Sequence, residues 1–539
     1  MKKWLVVTLV LAVMLPSTAW AAAPAPAVTP PTYPDATPGG QLVYGLWQDL
    51  ADNLDPQRAF LQVTAQIVKP IFDSLVYMRR GDPTIYPGLA ESWEIQDGGK
   101  KYIFKLRQDV KFHDGTPFNA EAVKYNFDWC SNPKNKCGNA PSVMGTYESS
   151  KVIDPYTVEV NFKEPYGAFL PQLAQVWVAM QSPTAKEKWG EEYQFHLTGT
   201  GPFMFKEYVP GDHVTVVRNP DYKWGPQLFH QGPAFLDSIE FRPIPENATR
   251  VGALESGELT MIDGVPPQDL SRLEANPRLQ ITRAAAGGMP WVMQVNVKNA
   301  PTDELAVRQA LALATDQVAI VDNLFKGTME PAYWPSEKGM LGYDAAKEAT
   351  PITNLDKAKE VLDKAGWVEN KATGIREKNG KKLEVTLLIP ANFGMDEFST
   401  MLQSQYKAAG IDTKIQSMAF PAAVEQWNKG THNLDPAFFW WPDPALVSIW
   451  YDSRFVGTCC NWSHYGDPAV DKLVLKGEGT VDQAARSEVY KELFQKVMDD
   501  GAVYPLFHKQ YVAALDKKVK GLSNDVTGYP DFNDVYFVK

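Results

Sequence analysis

Between Val110 and Trp129 the chain reads VKFHDGTPFNAEAVKYNFDW and sets His113 beside Asp114, the residue types of an acid–base pair. Their neighbours assign them other work. Asp114-Gly115 has the chemistry of a tight turn, Asn119 suits a helix N-cap, and Val123, Phe127 and Cys130 share one helical face. His113 and Asp114 therefore punctuate the passage from a strand to a helix. A second candidate is GTCCNWSHY, where Cys459, Cys460 and His464 offer soft ligands for copper(I) or zinc. No fourth ligand is evident, and oxidised cysteines cannot act as thiolates. GTGPFM carries two of three dinucleotide-type glycines, but Met204 takes the third place and Pro202 suits a turn. There is no G-x-S-x-G, H-E-x-x-H or Walker-type loop, and the seven His include no pair at i, i+4. Neither metal nor cofactor is expected. A secreted hydrolase with two distant carboxylates stays as an alternative, because such a pair leaves no local signature.

The elements that would position any site show a change of rhythm along the chain. Tyr102, Phe104 and Leu106 alternate as on a strand, and Tyr156 to Phe162 repeats the pattern. From Asp303 the period becomes helical, with Thr302 as the expected N-cap and Val307, Leu311 and Ala314 on one face. Asn354 caps the next predicted helix, then come strand Leu383–Ile389, helix Asp396–Ala409, strand Ile411–Ser417 and a long helix near Ala484–Met498. Alternating helix and strand predict an α/β layer.

The chain begins with Lys2, Lys3, an apolar run from Trp4 to Leu15, and Ala19-Trp20-Ala21, the pattern of a secretory signal peptide cut after Ala21. The run is too short to span a bilayer. No Cys follows it before Cys130, so no lipid anchor is expected, and a periplasmic location is. Residues Ala22 to Gly40 read as a mobile Ala/Pro arm. Net charge is −11 with no basic run, which gives no electrostatic reason to expect nucleic acid or an anionic membrane. Export makes disulfides plausible: Cys130 with Cys137 across a short polar loop, and Cys459 with Cys460 as a vicinal bridge.

The segments PGLAESWE (Pro87–Glu94) and YIFKLRQDVKFHDGTPFNAEAV (Tyr102–Val123) carry a resemblance. With GTGPFMF, RNPDY, ALESGELTMID and VRQALALATDQVAIV following in order, the chain resembles the extracellular solute-binding proteins of family 5. These are the dipeptide-, oligopeptide- and nickel-binding proteins of ABC importers. The resemblance runs from about Gln41 to the C-terminus; one departure is Thr260, where the family usually has Asp. It implies a large two-lobed periplasmic-binding-protein fold of α/β class, with the ligand cleft between the lobes. Residues 41–285 would form lobe I, with a smaller domain inserted at about 58–197 and completion by 505–539; residues 286–504 would form lobe II. It also implies a monomer that closes on a small solute and docks on an inner-membrane permease. A binding protein serving a membrane sensor would look the same.

PAFFWWPDPALVSIWYDSRF (Pro436–Phe455) bears on the ligand. Peptide-binding relatives place an acid before a Pro-Asp-Pro-like turn, to pair with the peptide ammonium. Phe439, Trp440 and Trp441 occupy that place here, and the next acid is Asp443. Either Asp443 takes the role from a shifted position, or the ligand is not a free peptide. Adjacent tryptophans suit sugar faces, aromatic groups or cations, and strand alternation would send one of the two into the core. Trp47, Trp291 and Asn296 complete the expected ligand-binding set. Asn296 could equally brace its strand.

Overall fold

The computed structural model describes residues 20–21, 28–50, 52–391, 395–439, 441–458 and 460–539. Locally, the sequence signals hold well. Asn119 accepts from the Ala122 N–H at 3.0 Å and starts helix Ala120–Ser131. Asn354 caps helix Leu355–Lys364 through the Lys357 N–H. The strands Lys101–Leu106, Thr157–Phe162, Glu384–Pro390 and Asp412–Met418 and the helices Asp396–Ala408 and Gln483–Asp499 lie within a residue or two of expectation. One start differs. Thr302 does not cap the next helix, Leu305–Ala314, because its hydroxyl donates to the Asn296 and Asn299 carbonyls and Glu304 takes the N-cap position.

Two sheets organise the chain. A five-stranded antiparallel sheet runs in the order Trp20–Ala21, Ala90–Gln96, Lys101–Leu106, Thr157–Phe162, Tyr147–Asp154; four of its strands fall within the segment expected as an inserted domain. Trp20 and Ala21 pair with Ile95 and Glu94; the rest of the expected signal peptide, residues 1–19, lies outside the described residues. Helix Ala120–Ser131 covers this sheet, and the rings of Tyr102, Phe127 and Phe162 close around Phe169.

The larger sheet has 12 strands and runs through both lobes. Its axis is Val503–Asp516. The first part of that strand pairs with Met289–Val295 (Phe507 opposite Trp291), and the last part with Leu279–Ala285 and Met261–Asp263 (Gln510 opposite Ala285). The two chain crossings therefore lie side by side, at residues 286–288 and at Phe507–Gln510. Gln41–Leu46 pairs parallel to both Ser238–Pro243 and Met261–Asp263 in the first lobe. In the second, Glu384–Pro390 and Asp412–Met418 are also parallel, as helix–strand alternation requires.

Two features depart from expectation. The Ala/Pro segment is not a free arm from Val28 onward: the Tyr33 hydroxyl donates to Asp534 at 3.0 Å, and its ring meets Phe235 and Tyr536. An aromatic among prolines gives the segment apolar surface to bury; Ala22 to Ala27 are outside the described residues. The second concerns residues 441–497, which the resemblance implies for lobe II. Trp441, Tyr451, Tyr490 and Phe494 join the core cluster of Phe104 and Phe169, whereas Leu311, Leu362, Leu387 and Phe507 form a separate core. The contact is close because Gly167 has no Cβ: one placed there would lie 1.9 Å from the Thr480 carbonyl oxygen. The Gly167 N–H donates to the Glu478 carbonyl at 2.7 Å across the same junction.

Candidate functional site

Where the lobes share Val503–Asp516, successive side chains point to opposite faces of the strand. His508 turns to one side, its ring nitrogens 2.8 Å from both Glu337 and Glu348. Those carboxylates outweigh burial and push its pKa up to about 10. Lys509 is drawn the other way. Its ammonium donates to the Gln62 side-chain carbonyl at 3.2 Å and lies 4.7 Å from the centre of the Phe438 ring. Gln62 opens helix Gln62–Val68 of the first lobe, while Phe438 belongs to the second-lobe strand Leu434–Phe439. Burial brings the Lys509 pKa down to about 8, only partly offset by the charge of Asp263.

Aromatic rings continue this surface. Trp291 is half-buried and packs on Phe438 with ring centres 4.3 Å apart, and on Phe507 at 5.9 Å. On the first-lobe side Trp47 is 40% exposed, and its backbone N–H donates to Asp263 at 2.9 Å. The other Asp263 oxygen accepts from Tyr511 at 3.1 Å, and Tyr511 in turn contacts Tyr44 and Gln66. Burial raises the Asp263 carboxyl to about 6 despite these donors. Trp47 and Trp291 thus flank the crossing strand from its two lobes, and Lys509 lies between their neighbours.

The other expected ligand contacts are placed differently. Asp443 is 1% exposed and forms a two-point ion pair with the buried Arg486, both N···O distances being 2.7 Å. Its first oxygen also accepts from the Ala445 N–H at 2.9 Å. That carboxylate is already neutralised, so it is not a shifted acceptor for a ligand ammonium. Asn296 is fully buried and gives its amide to the Gly430 and His432 carbonyls while accepting from the Lys298 and Asn299 N–H groups. It braces the strand end and has nothing left for a ligand. Trp441 is 5% exposed and part of the core; Trp440 lies outside the described residues.

The reactive-group candidates resolve in the same way. His113 is held between the Gly201 carbonyl and the Gly199 N–H, and burial brings its pKa down to about 4. Asp114 accepts from Thr116 and Ser182. After GTGP the chain enters strand Phe203–Val209, not the helix a dinucleotide loop requires. Cys130 and Cys137 are free thiols, contrary to the expected bridge. The Cys130 thiol turns into its own helix toward the Phe127 carbonyl, and the Cys137 thiol faces the Trp129 carbonyl. Cys460 is disulfide-bonded and Cys459 is outside the described residues. The Nε2–H of His464 donates to the Trp427 carbonyl at 2.8 Å, so that nitrogen is not presented to a metal.

Lys509 and Gln62 were not visible as site residues in the sequence. Neither belongs to a motif, and only the fold brings together groups 447 positions apart. Phe438 stands inside the aromatic run but carries no functional signal of its own.

Among the described residues no helix is long and apolar enough to cross a membrane. The chain is 30% identical over 474 residues to the glutathione-binding protein GsiB of Escherichia coli O6:K15:H31, covering 87% of this chain and 89% of that one. Its fold is similar to NikA from Brucella suis in complex with Fe(III)-EDTA (TM-score 0.81, 23% identity, 92% of this chain and 100% of that one). It is also similar to the periplasmic binding protein DppA from Helicobacter pylori in complex with the peptide STSA (TM-score 0.74, 24% identity, 93% and 99%). A family model described as bacterial extracellular solute-binding proteins, family 5 Middle, matches residues 84–454. The chain, with its two lobes joined by paired crossings, belongs to the family 5 extracellular solute-binding proteins, the binding components of ABC importers.

Proposed function

We propose that the protein captures a peptide or peptide-like solute in the periplasm, between its two lobes, and delivers it unaltered to an inner-membrane permease. The observation that carries the reading is the crossing strand itself. It sets a lysine, an amide and an aromatic pair, drawn from both lobes, around one point. A ligand that touches both walls favours the closed arrangement, because only differential affinity shifts such an equilibrium. Similarity to a protein named for glutathione binding supports a small peptide-like solute. The ion pair at Asp443 supports a ligand whose ammonium, where it has one, is not received by that carboxylate.

The test is to isolate the protein gently from its periplasm, release bound material by denaturation and identify it by mass spectrometry. Titration calorimetry with glutathione and short peptides follows, with recovery of each probe after incubation. The expected result is stoichiometric binding and intact recovery. Turnover that follows the protein through purification would overturn the transport reading in favour of hydrolysis, and retention of a sugar would overturn the peptide reading.

A further inference from the structure

From the crossing strand we infer that Lys509 is the anchor for a carboxylate of the bound solute, with the Gln62 amide beside it and the Phe438–Trp291 rings forming the wall along which the solute body lies. This rests on the reading of the protein as a peptide-type binding protein and names the ligand group that the cleft selects.

Charge matching elsewhere in the molecule supports it. Lys69 is paired with Asp525 and Asp531 at 2.7 and 2.5 Å, and Lys186 with Asp55 at 3.2 Å. Arg486 has Asp443. Lys509 alone of these has no carboxylate within 4.0 Å among the described residues, and its one hydrogen bond is to a neutral amide. An ammonium has three donors, so two remain beyond the bond to Gln62.

The neighbours account for what such a cation would take. Asp263, whose charge acts on it, is turned to Trp47 and Tyr511 and helps hold the charge without contacting it. His508 points away to Glu337 and Glu348, and Gln510 donates to Glu330. A single ammonium beside a neutral amide and a nearby acid suits a singly charged carboxylate. A phosphate dianion would meet the field of Asp263 and lack the several donors it needs. The flat rings at 4.3 Å offer an apolar wall to the solute next to its charged end.

The burial-lowered basicity of Lys509 gives the idea a second readout. An arriving carboxylate stabilises the ammonium, so binding near about pH 8.5 should draw a proton from the buffer.

The experiment uses the intact mature protein, with trialanine and glutathione as probes, each as the free acid and with every carboxylate amidated. Calorimetry is run on wild type, Lys509→Met and Lys509→Arg, in two buffers of different ionisation enthalpy. The expected outcome is that amidation and Lys509→Met each weaken binding roughly 10- to 100-fold, the range of a charge-assisted hydrogen bond. The two changes together should cost little more than either alone. Lys509→Arg should retain much of the affinity, and only wild type should take up a proton near about pH 8.5. Equal binding of acids and amides by wild type and Lys509→Met would overturn the carboxylate anchor and leave the peptide reading standing. No binding of any probe by folded wild type would overturn the peptide reading and the anchor with it. Thermal unfolding of each variant separates lost recognition from a lost fold; loss of affinity in Lys509→Met only in step with unfolding would count against the anchor.

Discussion

Two cations mark two contacts between chain segments far apart in sequence, and they are treated in opposite ways. Arg486 lies where residues 441–497 pack against Gly167, fully buried and clamped by both oxygens of Asp443. Burial works against its charge, yet the field and hydrogen bonds of Asp443 carry its pKa above the usual value. Lys509 lies where the lobes share a strand, and burial lowers its pKa to about 8, which the field of Asp263, not in contact with it, only partly offsets. A satisfied pair stiffens the segment that forms one junction; a half-satisfied cation leaves the other ready to receive. Formal charge is identical in both places. The partner decides whether the residue holds the fold or waits for a solute.

The largest expected effect comes from breaking the satisfied pair. Arg486→Met leaves the Asp443 carboxylate buried without its partner and should cost about 3–5 kcal/mol in urea unfolding. The double variant Asp443→Leu/Arg486→Met should recover most of that loss, since an apolar pair of similar volume needs no desolvated charge. A double variant as unstable as the single one would show that the ion pair is not what the junction requires.

A pH effect comes next, on the other face of the crossing strand. The folded-state pKa of His508 is raised from 6.5 to about 10, so its contribution is present in full below 6.5 and is lost as pH rises toward about 10. Stability followed by denaturant should therefore fall between pH 7 and about 8, above which Lys509, lowered to about 8 by burial, loses its proton and works in the opposite direction; His508→Gln should flatten that first part of the profile. An unchanged slope would mean that the Glu337–His508–Glu348 bridge adds nothing to the crossing.

A smaller change tests the aromatic wall. Trp291→Ala removes the ring packed on Phe438 and should weaken binding of the solute identified from the native protein by about 1–3 kcal/mol, the scale of burying a large apolar side chain. Calorimetry on the folded variant reads it directly. The smallest effect, and the one that sharpens the comparison most, is that of Lys509→Met on stability without ligand. Removing a desolvated, unmatched cation should leave the unfolding midpoint unchanged or slightly higher. A loss of several kcal/mol would place Lys509 with Arg486 among the residues that hold the fold.

What was legible in the sequence follows the range of each interaction. Asn119 and Asn354 announce their helices because a cap bonds within three residues, and Glu384–Pro390 is evident from its own alternation. Thr302 misleads because the same hydroxyl chemistry found a tertiary carbonyl at Asn296. Asp443 reads in the sequence as a candidate ligand acid because its partner stands 43 residues away, on a helix whose register with the turn only packing sets. Asn296 was ambiguous for a related reason: an amide suits a ligand or a backbone equally, and the strand end at His432 claimed it. The fold class could be reached from resemblance and rhythm together. The meeting of Lys509 with Gln62 could not, because nothing near either residue encodes the other.

The strand Val503–Asp516 has one more consequence, for the order in which the molecule can be made. Gln41–Leu46 reaches the rest of the sheet through Met261–Asp263, whose other neighbour is this late strand, and Tyr44 meets Tyr511 across 467 residues. Tyr33 waits for Asp534, 501 residues on. Neither lobe can complete its sheet until this late strand has been synthesised. A nascent polypeptide built this way stays open while its N-terminal half is already outside the ribosome, since contacts of such separation form late. The topology of a single strand thus sets when both parts of the sheet can close.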